Sequence, residues 1–145
     1  MDTINKAMAA ALGAAVSFFT GIPPLMWVLL GAMSLDYVTG LICAWRGRSP
    51  KTQGGGLSSK VACEGLMKKV MILLLVALAA LVDFAIAGSA GISFNATGGV
   101  VCLWFIASEG LSVLENGAEM GVPIPEVLKR ALEVMQGAGD EGKSE

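Results

Sequence analysis

LMWVLLGAMSLDYVTGLICAW, residues 25–45, carries a single charged group, Asp36, in 21 positions. As a helix rising about 1.5 Å per residue it reaches roughly 31 Å, the hydrocarbon thickness of a bilayer. Pro23 and Pro24 stand where a helix start tolerates proline, and Trp27 and Trp45 lie near the two ends, where indoles favour the membrane interface. This stretch predicts a transmembrane helix.

The whole chain fits that reading. With 145 residues, 54% of them hydrophobic and 15% charged, it has room for one domain and is more apolar than soluble domains of its size. A soluble fold this short buries only about two-thirds of its surface, so such apolar runs would aggregate without lipid to cover them. Histidine is absent, and Cys43, Cys63 and Cys102 are too few and too scattered for a zinc site or a disulfide framework. No metal, cofactor or nucleic acid is expected; the lipid bilayer is.

C-terminal to the first span the composition changes to RGRSPKTQGGGLSSKVACEGLMKK, residues 46–69. Arg46, Arg48, Lys51, Lys60, Lys68 and Lys69 face only Glu64 there, so this segment is expected to be a mobile basic loop retained in the cytoplasm. Its glycines and lysine lack the order of a phosphate-binding loop and do not follow a strand. A second span is expected over 70–90 (VMILLLVALAALVDFAIAGSA), with Asp83 close enough to its far end to reach headgroup water. After an uncharged external turn, a third span is expected over 92–114, beginning at Ile92 or nearer Gly98 and carrying Glu109 in its second half.

Pro123-Ile124-Pro125 then opens a short helix within 123–136. Leu128, Ala131, Leu132 and Met135 form an apolar stripe opposite Lys129, Arg130 and Glu133. It is too short to span and suits a membrane surface or a neighbouring subunit. Residues 137–145, GAGDEGKSE, have the composition of a disordered tail. The alanine-rich segment 7–22 is a marginal span or a surface helix without a convincing cleavage site. The predicted fold is therefore all-α, an integral membrane protein with three or four transmembrane helices plus a short C-terminal amphipathic helix.

Asp36 and Glu109 lie well inside their spans, where a charge costs at least roughly 3 kcal/mol unless it finds water, a partner or a proton. Asp36, Gly40, Cys43 and Gly47 share one helical face, and Phe105, Glu109, Ser112 and Asn116 another. Asp36, Thr39, Gly40, Glu109, Ser112 and Asn116 are accordingly the candidates for pore lining or oligomer contact, the plainer alternative being hydrogen-bonded packing. Neither carboxylate has an evident basic or catalytic partner in the sequence, so no enzyme is expected. The spacing Gly40/Ala44 and Ala11/Ala15 permits close helix approach.

Three clusters then come together in order: Asp36-Tyr37-Val38-Thr39-Gly40; Ser58-Ser59 with Gly65-Leu66-Met67-Lys68-Lys69; and Glu109-Gly110-Leu111-Ser112-Val113-Leu114-Glu115-Asn116 with Gly121-Val122-Pro123-Ile124-Pro125. From about Leu35 to Leu132 the chain resembles the toxin-secretion and phage-lysis holin family. The resemblance implies a multi-pass protein of the bacterial cytoplasmic membrane that assembles into homo-oligomers and opens a lesion. An endolysin, or in some relatives a toxin, then crosses without needing direct contact, and the host cell lyses. It also implies that Met8 could act as a second start, as in holins that make an inhibitor this way. Two other readings stay open. One is a small oligomeric ion or solute transporter or channel subunit built around Asp36 and Glu109, although no internal repeat is visible. The other is an antiholin.

Overall fold

Among the residues that the computed structural model describes (6–8, 23–52, 54–90 and 96–137), every regular element beyond the short piece at 6–8 is one of four helices, and none is a strand. They are α1 (Pro24–Trp45), α2 (Ser59–Ala90), α3 (Ala96–Glu119) and α4 (Glu126–Gly137). The all-α prediction holds. The expected N-terminal segment 7–22 and the tail 137–145 lie, except for their edge residues, outside the described residues.

α1 begins as its prolines dictate. Pro24 occupies the first turn, where a missing N–H costs nothing, and Met26 N–H bonds the Pro23 carbonyl at 2.9 Å. It ends at Gly47, whose φ of 70° lets the Gly47 and Arg48 N–H groups bond the Ala44 and Cys43 carbonyls, both at 3.0 Å. α3 ends in the same way. Gly121, at φ 80°, brings its own N–H to Ala118 at 2.9 Å and that of Val122 to Gly117 at 3.0 Å. Pro123 then keeps the helix from continuing.

The basic segment 46–69 is only partly a loop. α2 starts at Ser59, eleven residues before the expected boundary at Val70. The charges that suggested a loop do not break a helix: Lys, Glu, Ala and Met all favour one, and Ser58 caps it, its Oγ accepting the Val61 N–H at 3.5 Å while its carbonyl takes the first helical bond from Ala62 N–H at 2.9 Å. Lys60, Lys68 and Lys69 are therefore helical. What remains is a tight turn in which Ser49 N–H bonds Gly55 O at 3.0 Å. Gly55 has φ 74°, and a Cβ there would stand 2.1 Å from the Gly47 carbonyl oxygen, so a side chain is excluded.

α3 likewise runs past Leu114 to Glu119, because Asn116 and Gly117 find partners that reward a helical backbone: Asn116 bonds across to α1, and Gly117 accommodates Ile124. Asp83 also departs from expectation. Rather than reaching headgroup water it is buried, and it accepts the Thr97 N–H at 3.1 Å and the Gly98 N–H at 2.7 Å. These are orphan donors at the first turn of α3, and a carboxylate satisfies them while matching the positive end of the helix dipole.

Three helices, α1, α2 and α3, are long and apolar enough to cross a membrane. α3 is the central one: it packs along both α1 and α2, which meet each other only briefly. Leu29 and Met33 of α1, Ile72 and Val76 of α2, and Cys102 and Ile106 of α3 form the apolar core. The outward faces are apolar too, with Leu74, Leu78, Leu81 and Phe84 of α2 exposed. Such a surface is stable only against lipid, so the protein is membrane-embedded. α4 folds back on α3, with Leu132 against Gly110 and Met135 against the apolar core.

Candidate functional site

One turn from the apolar core, on the side of the basic turn, each spanning helix supplies an ionisable residue. Met33, Ile72 and Ile106 are followed, or in α2 preceded, three residues away by Asp36, Lys69 and Glu109. One helical turn of spacing keeps core residue and ionisable residue on the same inward face. The Lys69 ammonium donates to Asp36 Oδ2 at 2.7 Å and to Glu109 Oε2. Asn116 Nδ2 donates to Asp36 Oδ1 at 3.2 Å, the Asp36 carbonyl at 3.4 Å and Thr39 Oγ1 at 3.1 Å. The Thr39 hydroxyl donates in turn to the Leu35 carbonyl at 2.8 Å. Gly40 lies beside the amide, and a Cβ there would make an ordinary contact with Asn116 Nδ2 at 3.6 Å.

Burial gives this network its weight. Glu109 is 3% exposed, Asn116 5% and Lys69 8%. Among the described residues no buried side-chain nitrogen or oxygen lacks a partner. Two carboxylates and one ammonium leave one formal negative charge in excess, held within the span by a single cation and an amide. In a low-dielectric setting such a network is rigid when complete and costly when any member is missing.

The network is not sealed. Toward the basic end α1 and α2 leave between them an open crevice of about 80 Å³. Ser49, Thr52 and Leu57 lie on its walls, Gly40 and Gly65 flank it, and Asp36, Lys69 and Asn116 line it at depth. At the same end Arg48 Nη1 reaches the Glu119 carbonyl at 3.4 Å, tying the α1 exit to the α3 exit.

Of the residues singled out from sequence, Asp36, Thr39, Gly40, Glu109 and Asn116 converge in this one place, inside a single subunit. No bond joins half-buried Ser112 to it. Arg46, Arg48, Lys51, Lys60 and Lys68 are exposed, as expected of a basic segment, whereas Lys69 turns inward. The expectation that Asp36 and Glu109 have no basic partner is thus corrected: the partner is Lys69. The available signal was its position as the last charge before the apolar run of α2. Lys68 and Lys69 are adjacent, however, and only the packing decides which of them points inward.

The bacteriophage holin family matches residues 13–137, a stretch that contains α1 to α4 and the entire polar network. The chain belongs to the bacteriophage holin family. Its similarity to an uncharacterised protein of Halalkalibacterium halodurans is 34% identity, covering 99% of this chain and 100% of that one. An uncharacterised protein of Listeria innocua is 33% identical over 97% of this chain and 94% of its own length. A protein of Bacillus phage phi105 described as a probable holin is 32% identical over 74% of this chain and 70% of its own. No solved structure matches this holin-family chain.

Proposed function

We propose that the protein is a phage-type holin: it accumulates in the bacterial cytoplasmic membrane with its basic end inside, forms homo-oligomers and opens lesions through which an endolysin, or a toxin, crosses. The observation that carries this reading is the family match over 13–137, joined by a phage relative described as a probable holin. The architecture agrees with it. Three spans carry a polar network but no arrangement of nucleophile, base and substrate cleft, so the activity is what the helices do together in lipid.

A second reading, a small ion channel or transporter subunit, is favoured by one feature: the open crevice that Asp36 and Lys69 line. A single experiment separates the two. The protein is expressed in a bacterium with and without a wall-degrading enzyme that has no export signal of its own. Culture turbidity and release of a cytoplasmic protein are followed. A holin gives a delayed, abrupt loss of integrity with protein release, and lysis only when the enzyme is present. Gradual ion leak without protein release supports the channel, and no permeability change at any expression level removes the holin reading.

A further inference from the structure

Which surface lines a lesion is decided by where three helices can part at least cost. α3 is fastened to both neighbours: to α1 by Asn116 on Asp36 and Thr39, and to α2 by Lys69 on Glu109 and by Asp83 on the Thr97 and Gly98 amides. α1 and α2 meet over a short stretch only, and Lys69 bridges that seam to Asp36 at 2.7 Å. On the basic side of this bond the seam is already open as the crevice. On the other side Leu29 and Met33 of α1 and Ile72 and Val76 of α2 share an apolar core with Cys102 and Ile106 of α3.

We propose that the lesion is lined by the α1–α2 seam, opened by parting Lys69 from Asp36 and wetting the apolar core beyond it, while the outward faces of α2 stay in lipid. This inference rests on the holin reading. Parting the seam turns Asp36, Gly40, Lys69, Glu109 and Asn116 toward water together, so that a second copy and a water-filled space can replace the polar contacts that are lost. The opposite face of α2, with Leu74 57% and Leu78 56% exposed, offers water nothing to bond and would lose its lipid contact. An apolar constriction of this kind gates by wetting and is closed while it is dry.

The unsubstituted chain carries a probe of the core, because Cys102 is 2% exposed and its thiol is free. A thiosulfonate reagent, which reacts with thiolate and so needs water, is applied to cells permeabilised before the loss of turbidity and to cells just after it, and modified cysteines are located by peptide mass. Two further variants, Val76→Cys in the core and Leu78→Cys on the lipid face, are examined in the same way. Cys102 and Val76→Cys should be protected before the event and modified after it, with Leu78→Cys protected throughout. Modification of Leu78→Cys while Cys102 stays protected places the outer face of α2 at the water and overturns the proposal, as does modification of all three positions, which means loss of the fold. Because Cys102 needs no substitution, a variant that fails to insert does not remove the test. Membrane disruption with the wrong labelling pattern sinks the seam alone; no disruption at any expression level sinks the holin reading and the seam with it.

Discussion

The Lys69 ammonium stands 2.7 Å from the carboxylate of Asp36, a residue 33 positions earlier in the chain, and also donates to Glu109, so one cation joins α1, α2 and α3. Truncating it strands two carboxylates inside the span. Lys69→Met should destabilise the protein by about 3–5 kcal/mol, since removing one member of a buried ionic network leaves the others uncompensated. Denaturant titration in mild detergent, followed by helical circular dichroism, measures the loss. Adding Asp36→Asn and Glu109→Gln to Lys69→Met should restore much of it, because the neutral amides no longer demand a cation. Wild-type stability of Lys69→Met would contradict the network.

Asp83 holds the first turn of α3. Asp83→Ala should cost about 1–2 kcal/mol, the usual effect of losing a helix cap, and Asp83→Asn less, because one oxygen still accepts. Hydrogen exchange at Thr97 and Gly98 reads the cap directly: both amides should exchange faster in the alanine variant. Unchanged protection would mean that another group satisfies them.

Gly110 is where α4 docks. A Cβ there would lie 3.0 Å from Leu132 Cδ1 and 3.1 Å from Cδ2, the far end of a flexible side chain. Gly110→Ala should therefore be tolerated, the helix-propensity gain of roughly 1 kcal/mol offsetting a small shift of Leu132. Gly110→Leu should displace α4, and trypsin should then cut more rapidly after Lys129 and Arg130. Equal cleavage rates in the wild type and the leucine variant would show that α4 does not depend on this contact.

The basic end should face the cytoplasm, as short segments rich in Lys and Arg are retained there. Cys63, exposed near the start of α2, should resist an impermeant thiol reagent in intact cells that have not yet lost integrity and react once they are permeabilised. Reaction from outside in intact cells would invert the topology.

The spans were legible because a bilayer imposes one simple demand, about twenty apolar residues in a row, and 25–45 and 70–90 meet it in plain composition. The polar candidates were legible for the complementary reason, that a carboxylate inside such a run has to be accommodated by something. The start of α2 at Ser59 was not. Its Lys- and Gly-containing sequence suits a loop or a helix, and the Ser58 cap becomes decisive only once the turn at Gly55 has brought the chain round.

By itself, then, the sequence determined that the chain lives in lipid, where its helices lie to within a few turns and which face of each is unlike the rest, since these follow from local hydropathy and the 3.6-residue period. Only the tertiary structure decided that Asp36 and Glu109 share a cation, that this cation is Lys69 rather than Lys68, and that Asp83 caps another helix instead of reaching water. Each of those outcomes depends on the rotation and depth of one helix against another. That relation is settled by packing between residues 33 and 40 positions apart, and no local pattern encodes it.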